Sequence, residues 1–258
     1  MIGKVRVGRR IYKYGGSFYQ PTIEGFTNII VMIKNDPNKS EYGALSPYSI
    51  KVPLNGFLEG VIHENYWQFL KVYEQVPPIS VPFSTNNSAI AWVHEGCTCI
   101  NKDGNITSEW HDWRERGFSS KNYIRFPKDR ASCKFSLEIK KDGTIDIENR
   151  LTYVQSCKKT YAAKYCENVN KHPLFTQLKE RLLNGENLLI IEVDGPHQES
   201  LQYYIDKYNV EKNFITDNSI EVTFENMKIL IEDTKHAFGH DYCLGIELLD
   251  FTDKIINQ

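Results

Sequence analysis

"NLLIIEVDG", residues 187–195, decides the fold class. Four consecutive apolar residues, Leu188 to Ile191, lead into a carboxylate and then a glycine. So short an apolar run, bounded by turn-forming residues, reads as a strand buried on both faces. The segment before it, "HPLFTQLKERLLNG" (172–185), reads as a helix with Pro173 near its start and Gly185 as C-cap. Further towards the N-terminus, residues 1–60 are strand-rich: "TNIIVMI" (27–33) is a β-branched run, and "SPYSIKV" (46–52) alternates weakly before the turn pair Asn55-Gly56. "CKFSLEIKKDGTIDIE" (133–148) is a hairpin about Asp142-Gly143. "SCKKTYAAKYCENV" (156–169) is helical, and "GHDYCLGIELLDF" (239–251) reads as a short helix. The expectation is an α+β fold: one compact domain with a strand-rich N-terminal part, central helices and inserted segments at about 79–150 and 199–224.

Composition narrows the function classes. At 258 residues with 41% hydrophobic content the chain can bury a substantial core. A formal net charge of −2 gives no overall field drawing it to nucleic acid. The local exception is "KVRVGRRIYK" (4–13), whose alternation suggests a strand with one basic face. The first residues carry charges where a signal peptide has its apolar stretch, and no run approaches the roughly 18 apolar residues of a membrane span. The six cysteines lack the spacing of a disulfide framework, so reduced thiols and a cytoplasmic location are expected.

"IHENYWQFLKVYEQ" (62–75) carries the candidate chemistry. Read as one helix, it places Ile62, Tyr66, Phe69 and Tyr73 in an apolar stripe. Glu64, Gln68, Lys71 and Gln75 then fall on the opposite side. Taken alone, that polar row is what any solvated helix face looks like. Trp67 and Leu70 widen the apolar surface, however, and Glu192 and Asp194 end a buried strand, where α/β arrangements commonly bind ligands. A carboxylate inside an apolar run such as Glu192 needs a partner, for example a lysine.

These residues resemble the NADAR family. "YGALSPYSIKVPLNGFLEGVIHENYWQFLKVY" (42–73) is similar to its opening block, F-S-N-F…G…E-H-Y-x-Q-x-x-K, with Glu64, Tyr66, Gln68 and Lys71 on the pattern. "CKKTYAAKY" with "HPLFTQLKERLLNGENLLIIEV" resembles its helix pair and the strand ending in glutamate, here Glu192. "GHDYCLGIELLDF" looks like its closing G-x-N-x-L-G helix, with Gly245 as the inner glycine. The three blocks cover roughly half the chain in the family's order. Pro47 and Asn65 depart from the pattern, and "VDGPHQ" stands where the family has a Trp-Gly segment. The resemblance implies N-glycosidase chemistry on ADP-ribosylated nucleic acid or nucleotide, or on a ribosylamino metabolite, with no metal and no cofactor. It implies Glu64 as the carboxylate that stabilises an oxocarbenium-like state or activates water. Lys71 fixes the ionisation of Glu64 or holds a phosphate, and Glu192 or Asp194 shares acid–base work or binds ribose. Tyr66, Trp67 and Gln68 would contact the substrate.

Other signals are weaker. Arg125, Lys128 and Arg130 in "YIRFPKDR" could meet phosphates. Trp110 and Trp113, at helical spacing, are core residues by default and a stacking surface for a base in the livelier reading. His236 and His240, which flank Gly239 ahead of the last helix, could help hold an anion. His94, Cys97, Cys99 and His111 do not form a standard zinc pattern, and no Ser-His-Asp arrangement is legible. Two alternatives to the enzyme remain: a non-catalytic reader of ADP-ribose or a related nucleotide, and a nucleic-acid-binding protein using the two basic stretches.

Overall fold

The strand Asn187–Glu192 is fully buried after its first residue and lies inside a four-stranded sheet. It pairs in parallel with Val5–Arg9 on one side and with Phe26–Ile30 on the other. Ser219–Glu221 closes the far edge, antiparallel to Val5–Arg9. Every residue from Leu188 to Glu192 is buried, so both faces of this parallel strand are covered, which accounts for the unbroken apolar run in the sequence. The computed structural model describes residues 1–32, 41–79, 83–85, 88–90, 93–125 and 133–257. The fold class is α+β, and the chain divides into two compact units, Met1–Ser46 with Tyr165–Gln258, and Pro47–Lys164.

In the first unit, the helix His240–Leu248 packs on the two central strands and is buried along nearly its whole length. Gly245 permits this approach, since a Cβ there would meet Val222 Cγ2 at 2.9 Å. The helix begins at the carboxyl ends of the parallel strands, where His240 Nε2 lies 3.4 Å from the carbonyl oxygen of Val31. The helix Pro173–Leu183 has His172 as N-cap, proline in its first turn and Gly185 at positive φ just after it, as the sequence implied. The 199–224 stretch contains the helix Leu201–Tyr208, which Asn209 ends in the left-handed region.

In the second unit, the hairpin Lys51–Val52 with Val61–Ile62 spans the Asn55-Gly56 turn and leads into the helix His63–Phe69. That helix stops earlier than the sequence pattern implied. Lys71–Tyr73 is a strand, antiparallel to Cys133–Ile139, which in turn pairs with Ile145–Leu151. The side chains of Lys71, Val72 and Tyr73 are all buried, so tertiary pairing overrides the helical periodicity. All seven residues of the helix are buried too, and the solvated face allowed by periodicity does not exist. Its neighbour is the helix Ser108–Phe118, capped by the Thr107 side chain. Trp110, Trp113, Tyr66, Phe69 and Leu70 share one core cluster with this pair of helices. A helical run from Tyr153 includes a π-turn at Cys157–Ala162.

Candidate functional site

Three polar side chains of the second unit form one connected row. Gln68 Nε2 donates to Glu64 Oε1 at 2.8 Å, and Lys71 Nζ donates to Gln68 Oε1 at 2.8 Å. All three residues are at least nine-tenths buried, with relative exposures of 8%, 8% and 7%. The helix places Glu64 and Gln68 one turn apart. The chain then leaves the helix at Leu70, and the first residue of the next strand returns its ammonium to the same row. The Gln68 amide is thereby oriented from both ends: its NH₂ serves the carboxylate and its oxygen serves the cation. Hydrogen bonds to charged groups in such surroundings contribute about 1.5–3 kcal/mol each.

Trp67 flanks the row. Lys71 Nζ sits 4.7 Å from its ring centroid, in cation–π range. Tyr153 and Tyr161 meet the same indole edge-on, at 6.5 and 5.1 Å between centroids, and His63 lies 4.9 Å from the Tyr161 ring. The cation also acts on the adjoining strand: burial pushes the Cys133 thiol upward, and Lys71 partly opposes that shift. The arrangement presents an anion, a neutral amide and a cation in a fixed order beside aromatic rings. Such a preorganised carboxylate can stabilise positive charge that develops on a bound sugar.

Glu64, Trp67, Gln68 and Lys71 are therefore brought together. Tyr66 and Trp110 are instead fully buried core residues. Tyr66 stacks on Phe118 at 6.0 Å, and Trp110 Nε1 donates to the backbone oxygen of Lys71 at 3.1 Å. Packing, the default reading of Trp110, is the role it takes, and neither ring is open for a base to stack on. Arg125 lies 5.6 Å over the ring of Tyr48, while Lys128 and Arg130 fall outside the described residues. Asn65, a departure from the family pattern, holds a neighbouring segment in place. Its amide donates to the Asn122 oxygen at 3.0 Å and its oxygen accepts from Ile124 N at 2.7 Å. Pro47 supplies the carbonyl that accepts from Glu64 N at 3.0 Å.

Glu192, Asp194 and His240 belong to the first unit. Glu192 is buried and accepts from Asp194 N at 2.5 Å, whereas Asp194 is exposed. Burial pulls the His240 imidazole down to about 4, so it is neutral at pH 7 and offers no positive charge to an anion. Its neighbour Asp241 was not singled out in the sequence. Its carboxyl is fully buried, and burial, with Asp194 adding to it, pushes it up to about 7 against the opposing effect of the Tyr242 and Asp241 backbone N–H groups. The only hint was an acid at the mouth of an apolar helix.

The remaining candidates are otherwise engaged. Four of the five basic residues near the chain start are paired, Lys4 and Arg6 with Glu221, Arg9 with Glu199 and Arg10 with Gln20, and Lys13 lies 5.9 Å over the Tyr19 ring. Cys97 and Cys99 touch each other at 3.2 Å, and His94 Nδ1 accepts from Gly96 N. Among the described residues no three His, Cys, Asp or Glu side chains are grouped to hold a metal ion. A cavity of about 930 Å³ in the second unit, lined by Val76, Cys97, Glu109 and Arg116 among others, takes in Gln75 of the predicted polar row but not Glu64, Gln68 or Lys71. No helix among the described residues is long and apolar enough to cross a membrane. No protein-family model matches the chain, and searches of curated proteins and of solved structures found no match either.

Proposed function

We propose that the protein cleaves an N-glycosidic bond between a ribose and a base or base-like nitrogen. The substrate is an ADP-ribosylated nucleic acid or nucleotide, or a ribosylamino metabolite. The observation that carries this reading is the buried Glu64–Gln68–Lys71 row, made of the residue types, in the order, that the resemblance to the NADAR family implies. Departure of the base leaves positive charge at the anomeric carbon, and Glu64 is the anion that answers it or that takes a proton from the attacking water. Lys71, through Gln68, keeps the carboxylate oriented. The roles given to Glu192 and Asp194, acid–base work or ribose binding, rest on the resemblance alone.

The test incubates the purified chain with an ADP-ribosylated DNA oligonucleotide, and separately with a ribosylamino pyrimidine, and measures the released sugar product. Glu64→Gln keeps the shape and removes the charge, and turnover should fall by about 10²-fold or more. Full activity in that variant would remove Glu64 from the chemistry. A non-catalytic reader of ADP-ribose is favoured by one observation: Asn65, where the family pattern has histidine, carries no titratable group and spends its amide on the 122–124 segment. For a reader, ADP-ribose binds without turnover and Glu64→Ala leaves that binding unchanged.

A further inference from the structure

A second constellation lies in the first unit and shares no residue with the Glu64 row. Ser200 Oγ is 2.9 Å from His236 Nε2, and His236 Nδ1 is 2.7 Å from Asp233 Oδ2. The three form a graded series: Asp233 is 1% exposed, whereas His236 and Ser200 are half-buried. Burial alone would raise the Asp233 carboxyl. Hydrogen bonds from the Tyr203 hydroxyl, His236, the Lys235 amide and the Tyr204 hydroxyl outweigh that and hold it well below the usual carboxylate range. Nδ1 faces both Asp233 Oδ2 and the Tyr204 hydroxyl, the latter at 3.0 Å; with the Tyr204 proton donated to Asp233 Oδ2 at 3.1 Å, the ionised carboxylate favours the tautomer with its proton on Nδ1. The Nε2 lone pair is then directed at the serine hydroxyl, which is the arrangement that activates a nucleophile.

The position in the fold agrees with such a role. Ser200 ends a 3-10 turn, Gln198–Ser200, that follows the central parallel strand and opens the helix Leu201–Tyr208. Arg9, the last residue of the adjacent parallel strand, holds this turn through Glu199 at 2.9 Å. Asp233 caps the end of the helix Phe224–Glu232. The constellation thus lies beyond the carboxyl ends of parallel strands, the usual place for a ligand in such sheets.

We propose that Ser200, His236 and Asp233 form an acyl-transfer site that hydrolyses esters with good leaving groups. Ser200 Oγ attacks the acyl carbon while its proton passes to His236 Nε2. The bond to the leaving oxygen breaks with its electron pair, and that oxygen takes the proton from Nε2. Water then adds to the acyl-serine, gives a proton to Nε2, and the acid departs as Ser200 Oγ recovers that proton. The sum is ester plus water giving acid plus alcohol. The restriction to good leaving groups follows from the backbone. The Leu201 N–H, the donor next to the nucleophile, is already bonded to the Gln198 oxygen and is not preset for an oxyanion. Amides are therefore not substrates.

The test treats the full chain with a fluorophosphonate probe and, in parallel, with p-nitrophenyl acetate. One equivalent of probe should attach to Ser200, located by peptide mass spectrometry. Labelling and nitrophenol release should both disappear in Ser200→Ala and fall about 10²-fold or more in His236→Gln. Asp233→Asn should slow both as well, but Asp233 also anchors tyrosines, so His236→Gln, checked for folding by circular dichroism, decides the matter. Absence of labelling in the wild type, attachment elsewhere, or wild-type labelling rates in a folded His236→Gln protein would overturn the proposal.

Discussion

At the scale of single residues, polar side chains in this protein are used twice, and Asn65 is the clearest case. It sits at 0% exposure in the helix that carries Glu64, and its amide satisfies one backbone donor and one backbone acceptor of the 122–124 segment. Removing it leaves the buried Ile124 N–H without its acceptor, whereas the Asn122 oxygen, on an exposed residue, keeps the Ser120 hydroxyl at 2.8 Å. Asn65→Ala should therefore destabilise the second unit by about 1–3 kcal/mol, seen as a lower midpoint in urea unfolding at unchanged slope. A change below about 0.5 kcal/mol would mean that water replaces the amide. The same reasoning explains why Glu64, Gln68 and Lys71 tolerate burial: each is hydrogen-bonded within the row, so the cost of leaving water is offset.

At the scale of elements, the contact between the helices His63–Phe69 and Ser108–Phe118 rests on Gly117. A Cβ at that position would run into the Phe69 ring. Gly117→Ala should cost about 1–3 kcal/mol, because the ring must leave its place between the helix and Trp113. A thermal melt checks this, and a stabilised Gly117→Ala protein would show that the ring yields freely. Elements whose cause is local were legible in the sequence. The strand Asn187–Glu192 announced itself by its apolar run, the hairpin 133–151 by Asp142-Gly143, and the helix His240–Leu248 by its pattern after Gly239. The strand Lys71–Tyr73 was not, because its cause is the pairing of Lys71 with Ser136, more than sixty residues away. For the candidate row, the residues were legible and the geometry was not: Lys71 reaches Gln68 from a strand, not from the next turn of a helix. His236 stood out beside Gly239, but nothing joined it to Ser200, thirty-six residues away with no shared periodicity.

For the whole molecule, the acid limb of stability has identifiable owners. Arg181 and Thr27 hold the Glu186 carboxyl at about 2. Glu199, fixed by its own backbone N–H and by Arg9 and His197, also lies at about 2, and Asp233 is depressed further. Each has a folded value below its unfolded one. The stability they contribute is complete above about pH 4.5 and is lost as pH falls towards 2. Melting temperature should therefore decline steadily below pH 4.5, and Glu186→Gln with Glu199→Gln should flatten that decline. An unchanged acid limb in the double variant would assign it to other groups.

The start of the helix His240–Leu248 behaves differently, because burial shifts its two neighbouring residues, His240 and Asp241, each towards its own neutral form. The stability due to Asp241, raised to about 7, is present below pH 3.8 and is lost as pH rises through 7. That due to His240, lowered to about 4, is present above pH 6.5 and is lost as pH falls through 4. Between those limits the folded chain holds one proton on Asp241, and the unfolded chain holds one on His240. Between about pH 4 and 6.5, unfolding passes a proton from one member of this pair to the other, and the pair itself exchanges none with the solvent. The helix that closes the sheet is thus stoichiometrically silent where a lone buried acid or imidazole would have made its opening depend on pH.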